Sequence, residues 1–194
     1  MSIAPWRGAI AHALHRNRSL VYARYLQLAT VAENNRPANR TVVFRGFLED
    51  SNQLKFITDA RSHKVDQIQK QPWAEICWYF PKTREQFRIS GCLTLIAGDD
   101  SDPSLQPART KTWQELSDAA RLQFAWPHPS QPRVNEPGAF APSAPNSAQP
   151  LPTFCLLLLE PLEIDHLELR GEPQNRRLYS VNEQQEWVSQ EINP

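Results

Sequence analysis

The sequence carries no excess charge of either sign: 21 lysines and arginines balance 21 aspartates and glutamates. A neutral protein has no global field to gather a polyanion or an anionic membrane. No aromatic and basic repeat is present for stacking single-stranded bases either, so nucleic-acid and membrane-surface roles are set aside. Long apolar runs are missing as well. The longest, Phe154 to Leu159, suits a buried strand and falls far below the roughly 20 residues of a membrane-spanning helix. No long apolar segment with a cleavage site opens the chain, so we expect no secretory signal and a cytoplasmic protein. Cysteine is scarce. Cys77, Cys92 and Cys155 are odd in number, far apart and set in apolar runs, which predicts reduced core residues with neither a disulfide framework nor a zinc site. His12 and His15 fall near the polar side of a helical stretch without a carboxylate partner. The acidic loop at 98–103 lacks calcium-loop spacing. No metal is expected.

What is present is a local imbalance. Between Arg36 and Lys64 stand six basic residues (Arg36, Arg40, Arg45, Lys55, Arg61, Lys64) against three acidic ones (Glu49, Asp50, Asp59). Inside a neutral chain of 194 residues, most simply one domain spanning 1–194, that excess points to a small anionic ligand. The elements can be taken in order. Residues 5–18 predict a helix with Trp6, Ile10, Ala13 and Leu14 on one face. Strand-like runs at Tyr25–Ala32, Arg40–Leu48 and Leu54–Thr58, separated by turn clusters, read as an antiparallel meander. Strand period puts Arg40 and Arg45 on opposite faces. To serve one ligand they must sit at opposite ends of the strand, or the strand must bulge. Ser62 can cap a helix running to about Gln71, with Val65 and Ile68 inward and Pro72 as its stop. Its first turn offers free N–H groups, a hydroxyl and the Lys64 ammonium to an anion.

Trp73–Phe80 and Glu85–Ala97 predict a hairpin whose polar face carries Gln86, Arg88 and Ser90. Residues 110–124 read as one helix with Trp113, Leu116, Ala120 and Phe124 in register. Residues 127–152 hold eight of the seventeen prolines and read as a long loop or lid within the domain. Strands at Thr153–Glu160 and Leu162–Leu169 and a closing hairpin around 182–184 bring the expectation to eight or nine strands with three helices. That is a mainly β protein, a β-barrel with helical additions.

Four of these pieces, in this order, resemble the pyridoxamine 5′-phosphate oxidase family of FMN-binding split barrels. They are Arg40-Thr41-Val42-Val43-Phe44-Arg45; Phe56-Ile57-Thr58-Asp59 with Ser62-His63-Lys64; Gln86-Phe87-Arg88-Ile89-Ser90-Gly91; and the tail from Arg177 through Trp187 to Pro194. The Phe124-Ala125-Trp126 run followed by Ser130-Gln131 is similar to a flavin-contacting segment. The resemblance implies FMN as cofactor, with Arg40, Ser62, His63 and Lys64 at its phosphate and Thr58 as a further contact. It places Gln86, Ser130, Gln131 and Arg177 against the flavin, and Arg45 near both ring and substrate. It also implies a homodimer with FMN between the subunits and a small-molecule substrate.

The departures bear on the substrate. The resemblance puts Leu167 where the oxidases have a flavin-contacting tryptophan, and Pro173 and Asn175 where they use an arginine and a histidine. Trp113, Ser117 and Arg121 stand where they bind the substrate phosphate with tyrosine, arginine and serine. Only Arg121 could meet a phosphate, so Arg45, Arg177 and Arg121 are the candidate catalytic residues. The flavin half of the site is kept and the vitamin half replaced. This implies an FMN-dependent oxidoreductase of altered specificity. A genuine pyridoxamine or pyridoxine 5′-phosphate oxidase and a non-catalytic flavin-binding protein are the alternatives.

Overall fold

Alternating burial defines the strands. In the computed structural model, which describes residues 3–98 and 102–194, β1 (Tyr25–Val31) buries Leu26, Leu28 and Thr30 and turns Tyr25 and Gln27 outward. Residues 99–101 of the expected acidic loop lie outside the described residues. β2 (Pro37–Val43) returns antiparallel to β1. β3 (Leu54–Asp59), β4 (Trp73–Phe80), β5 (Glu85–Ile96), β6 (Phe154–Glu168), β7 (Asn175–Val181) and β8 (Trp187–Ile192) complete an eight-stranded sheet. Four helices accompany it: α1 (Trp6–Asn17), α2 (His63–Lys70), α3 (Gln106–Gln114) and α4 (Asp118–Leu122). The architecture is the expected mainly β split barrel with helices added.

The pairing of β3 differs from the meander. β3 lies against β6, from Leu54 opposite Leu159 to Asp59 opposite Phe154. The cause is a change of partner just after β2. The Phe44 N–H still bonds the Arg24 carbonyl, but Arg45 N–H bonds Lys55 O and Lys55 N–H bonds Gly46 O. Gly46 has φ +107°, a conformation that side chains beyond glycine avoid. The strand expected over 40–48 therefore begins at Pro37 and ends at Val43, and the hand-over to β3 closes the barrel.

The two strands expected at 153–160 and 162–169 are one strand of fifteen residues, β6. One of its edges pairs with β5 from Leu156 to Glu168. The other is divided: β3 occupies Phe154–Leu159 and β7 occupies Glu163–Glu168. Pro161, with no N–H to give, stands at the division. Opposite it the β5–β6 register shifts between Ser90 and Gly91. At Gly91 a Cβ would lie 2.0 Å from the Glu160 carbonyl oxygen, so the two backbones touch there.

Aromatic rings fill the barrel. Phe44 meets Trp78 at 4.9 Å between centroids and Phe80 meets Phe87 edge-on at 5.7 Å, all fully or almost fully buried. Burying each such side chain contributes roughly 1.5–3 kcal/mol. α1 adds Trp6, which packs on Trp187 at 5.6 Å. A separate cluster of Trp113, Leu116, Phe124 and Phe154 joins the other helices to β6. The single helix expected over 110–124 is broken in two, because the Ser117 hydroxyl accepts the Ala120 N–H and starts α4 afresh. Residues 127–152 contain no helix or strand. They run back along α3, where the Asn146 carbonyl accepts from Trp113 Nε1 at 2.9 Å.

Candidate functional site

The chain's cations converge where β2, β3 and α2 meet. Arg40, Arg45, Thr58 and Lys64 line one cleft of ≈ 590 Å³, with Tyr25, Ile57, Phe124 and Trp126 among its other walls. Strand alternation alone would separate Arg40 from Arg45. They meet because β2 stops at Val43 and Arg45 belongs to the segment that turns onto Lys55.

Arg40 and Lys64 are held by neutral oxygens. Arg40 Nη1 donates to Thr30 Oγ1 at 2.6 Å and to Leu28 O at 3.2 Å, while Nη2 donates to Gln67 Oε1 at 3.1 Å. The Thr30 hydroxyl in turn donates to Gln67 at 2.6 Å. Lys64 Nζ donates to Thr58 Oγ1 at 2.9 Å and Ser62 Oγ at 2.7 Å. Among the described residues none of Arg40, Arg45 and Lys64 has a carboxylate within salt-bridge distance. Asp59 is close, but Arg61 takes both its oxygens, at 2.9 and 2.7 Å. Burial, and then the neighbouring Arg40 charge, push the Lys64 ammonium below the ordinary lysine range. Burial also lowers Arg40 and Arg45. Two donors on the cleft wall, Arg45 Nε and Trp126 Nε1, are buried without a partner. Desolvated cations lining one cleft fit a phosphate-bearing ligand.

The other expected residues are placed differently. Ser62 is the N-cap of α2, but its hydroxyl makes no capping bond because Lys64 holds it. His63 is exposed and lines a separate hollow with Glu33 and Asp66, so it does not join the cleft. Ser130 and Gln131 line an adjoining hollow of ≈ 260 Å³ that shares Asp59, Gln123, Trp126 and Pro129 with the cleft. Gln86 sits on the outer sheet face opposite Tyr79 and Leu167. Arg177 borders a cavity of ≈ 900 Å³, beside Pro173 and Asn175, and pairs with Glu191 at 2.7 Å.

Arg121 departs furthest from expectation. It is buried, and its Nη1 donates to the carbonyls of Trp113, Gln114 and Leu116 while Nη2 pairs with Asp118. It ties the end of α3 to α4 and offers nothing to the cleft. Arg121→Met is expected to lower stability by about 1–3 kcal/mol through stranded carbonyls. Ligand affinity at the cleft should be unchanged. A thermal melt alongside a binding titration checks both.

Sequence reasoning missed Thr30, Gln67 and Tyr25. Gln67 follows Lys64 by three residues on α2 and so shares its side of the helix, a signal that was available. Thr30 is a polar residue at an inward strand position, after Leu26 and Leu28, which is also legible.

Among the described residues no helix is long and apolar enough to cross a membrane. A family model for the pyridoxamine 5′-phosphate oxidase FMN-binding domain matches residues 3–97. A curated relative, pyridoxine/pyridoxamine 5′-phosphate oxidase 2 of Arabidopsis thaliana, is 38% identical over 197 residues, covering 99% of this chain and 98% of that one. A solved structure of a pyridoxamine 5′-phosphate oxidase-related, FMN-binding protein from Nostoc punctiforme is 75% identical, covers 100% of both chains and has a TM-score of 0.98. PhzG from Burkholderia lata, solved with tetrahydrophenazine-1-carboxylic acid, shares the fold at TM-score 0.77 and 21% identity, over 97% of this chain and 90% of that one.

Proposed function

The chain belongs to the pyridoxamine 5′-phosphate oxidase family of FMN-binding proteins, and from that premise we propose that it is an FMN-dependent oxidoreductase acting on a small molecule other than the vitamin phosphate. When bound, FMN supplies the redox chemistry. The protein's part is to hold and orient it. Arg40 and Lys64 take the phosphate, with Thr58 and Ser62 fixing the lysine. Arg45 keeps a positive charge on the cleft wall, where charge gathering on a bound ring is stabilised. Trp126 Nε1 is a donor in want of an acceptor.

Gln86 and Arg177 lie outside the cleft, so on this reading they reach the flavin from a second copy of the chain. The outer sheet face around Gln86 supports such a homodimer, since it exposes Tyr25, Trp73 and Tyr79. The dimer works in the cytoplasm, where Cys77, Cys92 and Cys155 stay thiols.

One observation carries the altered specificity. The three positions at which the oxidases grip the substrate phosphate are committed elsewhere: Trp113 to the Asn146 carbonyl, Ser117 to the start of α4, and Arg121 to the end of α3. A phosphate there would meet only Arg121, whose Nη atoms are already committed to carbonyls and Asp118. The name of the Arabidopsis relative favours the second reading, a genuine oxidase. The deciding experiment incubates the pure FMN-loaded protein with pyridoxamine 5′-phosphate and oxygen and follows pyridoxal 5′-phosphate. No formation above background is expected. Turnover at rates ordinary for an enzyme would establish the second reading instead.

A further inference from the structure

We propose that Glu85, His166 and Glu168 form a binding site for a divalent metal ion of the zinc type. The ladder between β5 and β6 sets Glu85 opposite Glu168 and Phe87 opposite His166. Residues two apart on a strand share a face, so the imidazole and both carboxylates project together. Their ligating atoms all lie within 4.8 Å of one another. Glu85 and His166 are buried and Glu168 is half-buried. His166 lies flat on Phe87, 4.1 Å between centroids and 10° between planes, which fixes its ring before any ion arrives. Its Nε2 is 2.9 Å from Glu85 Oε2.

The charge balance calls for a cation. Two carboxylates directly opposite on neighbouring strands repel. Among the described residues no lysine or arginine pairs with either, and the Glu168 side chain has no hydrogen bond or ion pair at all. The cations close by are already used: Arg176 pairs with Asp165 at 2.7 Å, and Arg177, the cross-strand partner of His166, pairs with Glu191. A neutral imidazole with two carboxylates gives the charge and the N and O donors that Zn²⁺ takes. His166 and Glu168 border the ≈ 900 Å³ cavity, which leaves room for water to complete the coordination. The site shares no residue with the Arg40 cleft, but His166 and Glu168 border the same cavity as Arg177, so metal binding and the flavin spectrum are read separately.

The test is a calorimetric titration of Zn²⁺ into chelator-treated protein carrying its FMN, with Co²⁺ absorption as a second readout. One ion per chain is expected. Glu168→Gln keeps size at a half-exposed position, and it is expected to weaken Zn²⁺ binding about tenfold or more with the flavin spectrum unchanged. Glu85→Gln should act in the same direction. Absence of saturable binding, or equal binding by the wild type and Glu168→Gln, would overturn the site and leave a buried hydrogen-bonded pair.

Discussion

Replacing Lys64 with methionine is expected to weaken FMN binding by about 10- to 150-fold, the worth of one charge-assisted hydrogen bond. The ammonium has three donors. Thr58 and Ser62 accept two, which leaves one N–H and an uncompensated charge for the phosphate. The equivalent change at Arg40 would also break the bonds to Thr30 and Gln67, confounding affinity with packing. Methionine at position 64 keeps the apolar stem but gives up the bonds to Thr58 and Ser62, so the melting temperature of the unliganded protein is measured alongside to separate that loss from affinity. Quenching of flavin fluorescence on titration gives the affinity. A pH arm tests the same residue. Burial and the Arg40 charge hold the Lys64 pKa down before binding, and a phosphate anion restores it. Between the lowered and restored values the complex therefore binds more protons than the free protein. FMN binding is expected to take up protons there, and affinity should fall as pH rises through that window. Calorimetry in buffers of different ionisation enthalpy measures the uptake, and Lys64→Met should abolish it.

Gly91→Ala is expected to cost about 3 kcal/mol or more in stability, which lowers the melting temperature by about 2–4 °C per kcal/mol in a chain of this size. The new methyl would meet the Glu160 carbonyl oxygen at 2.0 Å and the Glu160 carbonyl carbon at 2.9 Å. Both are backbone atoms of β6, so relief requires the strands to part where β6 passes from β3 to β7. Differential scanning calorimetry measures the loss. A melt within 2 °C of the wild type would show that the two strands part there at little cost.

These two sites also show what the sequence made legible. That Arg40, Arg45, Thr58 and Lys64 lie together was readable because charge, β-period and a helix start all lay within a short span. The hairpins β4–β5 and β7–β8 were readable because their partners are neighbours in the chain. The partner of β3 was not, since Leu54 pairs with Leu159 across about a hundred residues and no local pattern encodes that choice. The break between α3 and α4 was missed because apolar spacing continues through it, and only the Ser117 cap interrupts the helix. Arg121 was set at a substrate phosphate by its place in the resemblance, and no local pattern shows that its guanidinium is buried against the carbonyls at the end of α3. The pairing of Glu85 with His166 was illegible too, as their separation of 81 residues hides a single cross-strand neighbourhood.

β6 has a consequence for modularity. The stretch that the family model recognises, 3–97, holds every residue of the cation cleft contributed by β2, β3 and α2. Yet β3 and β5 both hydrogen-bond to a strand that lies beyond it. Expressed alone, that first half would carry two bare strand edges, the kind that template aggregation. The segment that the family model matches and the set of strands that pair with one another are thus different lengths of the same chain.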